Sequence, residues 1–273
     1  MYDDFASVYD EFMDETPYEL WASRISNCIE KYGISKPVRD AADALESEAN
    51  LVLDLGCGTG TFTEMLYDKG YDMIGADLSP EMLSVAMQKK MESGRDILYL
   101  NQDMRELDLY STVGTVVSVC DSVNYILESE ELEGVFRDVY KYLFPGGIFL
   151  FDFNTVHKYR DVIGDTTIAE DRDECSFIWE NFYDEESRIN EYDLTLFIRE
   201  ESGLYRKSVE THMQRGYEPE EIASMLRKCG FSIIAMTDAD EMGENEFDLD
   251  EKGLTETSLH NSERVFVIAK KEG

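Results

Sequence analysis

Positive charge is scarce in this chain. Its 273 residues carry 59 Asp and Glu against 25 Lys and Arg, a formal charge of −34. A surface of that sign repels phosphate backbones and anionic lipid, which argues against DNA, RNA and acidic membranes as direct partners. Cysteine is scarce as well. The five thiols, at positions 28, 57, 120, 175 and 229, are odd in number, far apart and without a C-x-x-C pair. Neither a disulfide framework nor a zinc site is indicated, and no metal is expected. No stretch approaches the roughly 20 apolar residues that cross a bilayer. The opening MYDDFASVYDEF lacks the basic stretch and apolar core of a secretory leader. These absences lead to the expectation of a cytoplasmic globular protein, one large α/β unit with room for an insertion. Oligomeric state leaves no mark in the composition.

What is present is concentrated in 51–78, LVLDLGCGTGTFTEMLYDKGYDMIGADL. Leu51–Leu55 shows no polar alternation, the pattern of a strand covered on both faces in a parallel sheet. Gly56, Gly58 and Gly60 then turn the chain sharply and leave its backbone open to a ligand. A helix is expected over 61–69, with Gly70 as its C-cap. Its amino end directs N–H groups and positive partial charge at whatever lies over the turn. The next strand ends at Asp77, about 20 residues beyond the turn, where a carboxylate can accept both hydroxyls of a ribose. A nicotinamide-type turn requires G-x-G-x-x-G, and here Thr61 stands where the last glycine would fall.

The spacing D-L-G-C-G-T-G followed by G-A-D-L-S-P-E-M-L resembles the cofactor loop of class I S-adenosylmethionine-dependent methyltransferases of the bacterial small-molecule type. The resemblance implies a Rossmann-like, doubly wound α/β sheet of seven mostly parallel strands, the last antiparallel. It implies S-adenosyl-L-methionine as cofactor and S-adenosyl-L-homocysteine as product. Asp54, Gly56, Cys57, Gly58, Gly60, Asp77 and Leu78 then fall against that cofactor. Asp103 is assigned to the adenine amino group and the Met104 backbone N–H to the ring; Cys120 and Asp121, ending the fourth strand, complete the set. The pattern Y-D-x-F-M-x-x-x-P-Y-x-x-W is similar to a segment that closes over the methionine end of the cofactor. It brings in Tyr9, Tyr18 and Trp21, whose aromatic faces also suit a sulfonium cation.

Along the chain, residues 1–50 read as an N-terminal helical cap. Pro17 starts a helix running to about Tyr32 with Ile25 and Ile29 on its packed face, and 34–50 is a linker or short extra helix. Residues 51–154 form the cofactor-binding core. Beyond the glycine turn it has a helix from Ser79-Pro80-Glu81 to near Gly94, strands at 97–101 and 115–120, and a helix at 131–143. A turn at 144–147 precedes a fifth strand at 148–153. Within 155–216, alternation over 174–215 marks three antiparallel strands, an insertion expected to act as a lid over the substrate side. Arg206, Ser208, Glu210, His212 and Gln214 form one polar face of it. Residues 217–273 return to the core with a helix at Pro219–Lys228 and strands at 231–236 and 264–269. The acidic stretch between those strands is read as a solvated loop, because Met242 and Leu249 stand where a calcium loop needs oxygen ligands.

In open parallel sheets, ligands gather at the carboxyl ends of the strands. Residues 120–125 therefore fall next to the transferable methyl, and Asp152, Asn154 and His157 lie at the neighbouring mouth. A small-molecule acceptor is expected to meet Asn124, Tyr125, Asn154 and Arg215. The missing N/D-P-P-Y/F segment argues against nucleic-acid or protein nitrogen. A sulfonium methyl is already reactive, so alignment and exclusion of water carry much of the chemistry, and a base is needed only for an alcohol or ammonium. His212 and His157 are the candidates for it, each with a plain alternative as an ordinary hydrogen-bonded histidine. H-x-Q-R-x-Y ahead of the P-E-E-I helix resembles family members whose lid supplies this segment, which favours His212. Two other readings stay open: a non-catalytic cofactor-binding sensor or assembly factor, and a methyltransferase acting on protein or RNA.

Overall fold

The structure, a computed structural model, describes residues 5–39, 41–239 and 259–273. Side chains apolar on both faces of a strand must be housed in the middle of a sheet, and Leu51–Leu55 (β1) sits there, buried from its second residue onward. Asp72–Asp77 (β2) and Leu98–Asn101 (β3) follow on one side; Val113–Ser118 (β4) and Leu143–Asn154 (β5) lie on the other. Ser232–Asp238 (β10) and Arg264–Lys270 (β11) close the row, giving the order β10-β11-β5-β4-β1-β2-β3. β1 to β5 pair in parallel, whereas β11 runs antiparallel to both β5 and β10. Because the chain leaves β1 towards β2 and returns to β4 on its other flank, the strand order reverses between β1 and β4. That is where an open sheet leaves a crevice at its carboxyl end.

Phe5–Phe12 (α1), Tyr18–Tyr32 (α2) and Ala44–Asn50 (α3) precede the sheet; Thr61–Asp68 (α4), Pro80–Ser93 (α5), Ser129–Tyr142 (α6) and Pro219–Lys228 (α7) link its strands. On one face Ile25, Ile29, Phe62, Leu66 and Leu83 bring α2, α4 and α5 against the strands. On the other, Phe136, Val139 and Leu226 from α6 and α7 meet Phe149, Phe151 and Phe153 of β5. Each such buried side chain contributes about 1.5–3 kcal/mol relative to exposure. Ser79 caps α5 where expected, accepting the Met82 N–H at 3.1 Å; the structure adds a cap on α3, Asp43 accepting the Glu46 N–H at 2.9 Å.

Three expectations are corrected. Residues 144–147 are part of β5 rather than a turn before it: α6 passes straight into the strand at Leu143, and the β4–β5 register shifts between Val113 and Thr115. β4 starts two residues early and ends at Ser118, because Cys120 and Asp121 turn left-handed. The insertion has four antiparallel strands, not three: Thr167–Asp171 (β6), Cys175–Asp184 (β7), Ile189–Arg199 (β8) and Tyr205–Arg215 (β9). β6 is a short, largely exposed edge strand, T-I-A-E-D, without the apolar alternation that reveals the others. Val8 of α1 packs against Cys175, Tyr192, Leu194 and Leu196 of this second sheet, a separate small core. Most of the acidic stretch, with Met242 and Leu249, lies outside the described residues. Among the described residues no helix is long and apolar enough to cross a membrane.

Candidate active site

The turn after β1 is pinned from beneath. Gly56 and Cys57 both donate their N–H to the Ala76 carbonyl of β2, at 2.7 and 3.1 Å. Gly56 has φ +83°, and a Cβ there would lie 2.7 Å from Ser122 Oγ, so the turn packs directly on the segment after β4. Gly58, at φ +54°, has nothing within 4 Å of where a Cβ would stand; its main chain faces open space. Cys57 is buried, and Gly60 begins α4. Asp54 is 1% exposed and accepts from Thr63 Oγ1 at 2.6 Å, tying β1 to α4. Burial pushes its carboxyl up to about 7 against the pull of that hydrogen bond.

Asp77 grips the same turn. Its Oδ2 accepts the Gly58 N–H and its Oδ1 the Ser79 N–H, each at 2.8 Å. Burial pushes this carboxyl above its ordinary range. A carboxylate has about four acceptor sites, so capacity remains for a ribose hydroxyl. Leu78 beside it is 60% exposed. Asp103 accepts the Arg105 N–H at 2.9 Å and pairs with its guanidinium at 2.6 Å, which holds the carboxyl below its usual range. Met104 lies over the Gly56 side of the turn. Bare main chain at Gly58 and a buried acid with spare acceptor capacity fit the nucleoside part of S-adenosylmethionine.

Helix α1 covers this turn. Asp10 Oδ1 accepts from Thr59 Oγ1 at 2.6 Å and Thr61 Oγ1 at 2.9 Å, while Lys89 of α5 pairs with its other oxygen. At its ends α1 is held by the second sheet. The Phe5 N–H donates to Glu210 at 3.1 Å, and Arg172 pairs with Asp14 just beyond the helix at 2.8 Å. Tyr9 and Tyr18 hydrogen-bond each other, and Tyr18 lies 3.8 Å from Cys120 Sγ. Burial pushes both phenols and the Cys120 thiol upward. Trp21 packs edge-on against Tyr18, but the cation over its ring is the Arg264 guanidinium, 5.7 Å from the centroid.

At the carboxyl ends of β4 and β5 the side chains form one connected polar group. Cys120 and Asp121 hold φ of 60° and 51°, each costing about 1–2 kcal/mol for a residue with a Cβ. What holds them there is visible. The Asp121 N–H donates to Asp152 Oδ1 at 2.8 Å; Asp121 Oδ1 accepts from Arg264 Nη2 at 2.9 Å and its Oδ2 from Gln214 Nε2 at 2.6 Å. Arg264 also reaches Asp152 at 3.4 Å and Asn154 Oδ1 at 3.3 Å. Tyr159 donates to Gln214 Oε1 and accepts from Asn154 Nδ2, both at 2.9 Å, and Lys158 Nζ donates to Asn154 Oδ1 at 3.0 Å. Two carboxylates thus sit with one guanidinium and one ammonium. Burial pushes the Asp152 carboxyl up and the Lys158 ammonium down.

The remaining expected residues separate. Asn124 is buried and wholly engaged: its Oδ1 accepts the Asn154 N–H at 2.9 Å, and its Nδ2 donates to the carbonyls of Asn154 and Arg215 at 2.8 and 2.7 Å. It ties strand ends together rather than facing an acceptor. Arg215 donates to the Leu127 carbonyl at 3.0 Å and pairs with Glu221 at 3.3 Å, fastening β9 to α7; its charge is answered within the protein. The Asn154 side chain is spent on Tyr159, Lys158 and Arg264. His157 bonds Asp161 at 2.8 Å, its i+4 neighbour, not the polar group around Asp121. His260 pairs with Glu218 at 3.4 Å and Glu220 at 2.9 Å at the start of α7. His212 is the inward one, 3% exposed. It stacks on Tyr192 at 5.1 Å, meets Tyr125 and Phe5 edge-on, and has Glu210 Oε2 3.5 Å from its Nε2. Tyr125 and Tyr192 share a hydrogen bond of 2.9 Å. Asp10, Gln214 and Arg264 are the functional candidates that sequence reasoning missed. A cavity of about 290 Å³ opens beside Arg264, between α2 and the ends of β4, β5 and β11.

Residues 52–147 match the family model described as a methyltransferase domain. The Bacillus subtilis (strain 168) protein YqeM, which carries a provisional methyltransferase name, is 36% identical over 238 residues, 87% of this chain and 89% of that one. The chain belongs to the class I S-adenosylmethionine-dependent methyltransferases. The crystal structure of another S-adenosylmethionine-dependent methyltransferase, from Clostridium acetobutylicum ATCC 824, superposes with a TM-score of 0.79 at 28% identity. The match covers 100% of this chain and 99% of that one. A Streptomyces venezuelae enzyme named dTDP-3-amino-3,4,6-trideoxy-alpha-D-glucopyranose N,N-dimethyltransferase is 35% identical over 113 residues, 40% of this chain and 46% of its own. This methyltransferase therefore takes S-adenosylmethionine as its cofactor, on a Rossmann-like sheet flanked by a separate antiparallel one.

Proposed function

We propose that this methyltransferase acts on a small-molecule acceptor bound between the Asp121–Arg264 group and the inward face of β9. The supporting observation is enclosure: α1 and the second sheet roof the crevice, Gln214 of β9 reaching Asp121 at 2.6 Å, and on the α2 side of Asp152 and Arg264 a cavity of about 290 Å³ opens, at the lower limit for a drug-sized ligand. The sugar-modifying relative named above points the same way. When bound, the cofactor supplies a methyl group on a positively charged sulfur, which needs a nucleophile in line and little water. Asp77 and the Gly56-to-Gly60 turn hold its nucleoside part, with Asp103 and Met104 beside the base. Tyr9, Tyr18 and Cys120 enclose the other end. His212 accepts the proton of an alcohol or ammonium acceptor, with the adjacent Glu210 carboxylate balancing the imidazolium that results.

The test is release of S-adenosylhomocysteine by the purified chain against fractions of a metabolite pool. Release that depends on a small-molecule fraction supports the reading. Tight cofactor binding without any acceptor-dependent release would favour a sensor or assembly role instead.

A further inference from the structure

The antiparallel sheet has a second face. Tyr192, Leu194 and Leu196 of β8 turn inward to α1, so the alternate residues of β7, β8 and β9 turn outward. Single apolar residues on a surface are ordinary, whereas a connected set marks a contact. Here Ile178, Phe182, Tyr205, Val209 and Met213 all stay exposed, Val209 to 54%. The strand registers arrange this face in rows. Ile178, Thr195 and Val209 form the middle one. The row on one side holds Phe197 and Lys207; the row on the other holds Glu180, Asp193 and Thr211. Charge is therefore unbalanced about the middle. Glu180 and Asp193 stand directly opposite each other, an unfavourable placement for like charges. Asp193 accepts from Thr211 Oγ1 at 2.6 Å, yet neither acid has a cation among the described residues. Lys207 has no acid among them either, its ammonium lying 5.9 Å from the centre of the Phe197 ring.

We propose that this outer face binds a second copy of the chain, two-fold about an axis along the Ile178–Thr195–Val209 row, with Lys207 of each copy answering Asp193 of the other. A two-fold contact needs a patch complementary to itself. A half-turn about that row lays each strand over its own copy, running the other way. Ile178 then meets Ile178, Val209 meets Val209 and Tyr205 meets Met213. Lys207 comes over Thr211, one strand spacing of about 4.8 Å from Asp193. Arg199, paired with Glu174 at 3.0 Å, comes over Glu191. The four strands present roughly 600 Å² per copy at about 3.3 Å per residue and 4.8 Å per strand. A pair thus buries about 1,200 Å², the lower end for a specific interface. A basic partner, which a charge of −34 would attract, is served by acids rather than by an apolar row. Because the face is turned away from α1, the crevice stays open in the pair.

Sedimentation equilibrium of the full chain tests this, from about 1 to 100 μM at about 0.15 M salt, where distant charges on the two copies are screened. The mass is expected to pass from that of one chain to twice that value. Val209→Arg brings two guanidinium groups together on the axis and weakens association about a hundredfold or more. Val209 is exposed in the single chain, so the urea midpoint and the affinity for S-adenosylhomocysteine stay as they were. Lys207→Asp weakens association about tenfold, and adding Asp193→Lys recovers most of the loss, as a pairing between copies requires. A chain that stays single at the highest concentration overturns the proposal. So does a pair that Val209→Arg leaves intact, which would be joined through another surface. Should Val209→Arg lower the urea midpoint as well, the charge exchange decides: a double variant that recovers nothing overturns the pairing.

Discussion

Gln214 reaches from β9 to donate to Asp121 Oδ2 at 2.6 Å, so the antiparallel sheet is bonded to the turn that ends β4. The same amide accepts from Tyr159, leaving neither end idle. Gln214→Leu strands a carboxylate oxygen and a phenol in largely buried surroundings. A loss of about 1–3 kcal/mol is expected, read as a lower urea midpoint at unchanged slope. An unmoved midpoint would mean the link contributes nothing to stability.

Asp77 serves the fold, its oxygens holding the Gly58 and Ser79 N–H groups, and the proposed function gives it the ribose as well. Asp77→Ala is expected to weaken S-adenosylhomocysteine binding by about 1.5–3 kcal/mol, roughly ten- to hundredfold. Calorimetry decides it; unchanged affinity contradicts the ribose role.

His212→Ala should lower turnover by about a hundredfold or more if the imidazole carries the acceptor's proton. Cofactor affinity should change little. Stability is measured alongside, because the ring is buried: a less stable protein with normal turnover would make His212 a packing residue only.

Asp10→Ala releases Thr59, Thr61 and Lys89 from α1. Amide exchange over 5–12 is expected to rise about fivefold, corresponding to roughly 1 kcal/mol for a partly exposed pair. Dissociation of S-adenosylhomocysteine, followed by stopped flow, should quicken in step. Faster exchange without faster release would show that α1 does not gate the cofactor.

Asp54 makes stability depend on pH in an uncommon direction for an acid. Its carboxyl, ordinarily near 3.8, is raised to about 7 when folded, so between those values the folded chain holds a proton that the unfolded chain has lost. Stability contributed by this group is present below the unfolded value and falls as pH rises towards 7, by up to about 1.4 kcal/mol per unit. Asp54→Asn should flatten the profile and be the more stable form at pH 8. Denaturant melts at pH 5 and 8 check this, and parallel profiles for the two proteins would refute it.

Much of this arrangement is legible in local sequence. The apolar-rich β1, the glycine turn, Asp77 and the Ser79-Pro80 helix start depend on neighbours a few residues away, and all stand where the pattern puts them. Faces and partners are another matter. Alternation in β9 shows that Arg206, Ser208, Glu210, His212 and Gln214 share a side, but not that Glu210, His212 and Gln214 turn inward. Period two says nothing about which face meets a neighbour. Arg215 has the look of an anion-binding residue until Glu221, supplied by the next helix, answers its charge. Arg264 gives no warning at all, because its partners lie 110 to 143 positions earlier in the chain.

That distance has a consequence for how the molecule is made. β11 runs against its neighbours, so its first residue, rather than its last, arrives at the mouth of the sheet. During synthesis Asp121 and Asp152 emerge from the ribosome long before the cation that sits between them. Until Arg264 follows, the nascent domain carries two adjacent acids where its parallel strands end, with the half-buried Lys158 as the cation beside them. The crevice can be completed only once β11 has emerged, and a chain stalled short of β11 would hold its glycine turn yet lack a settled floor.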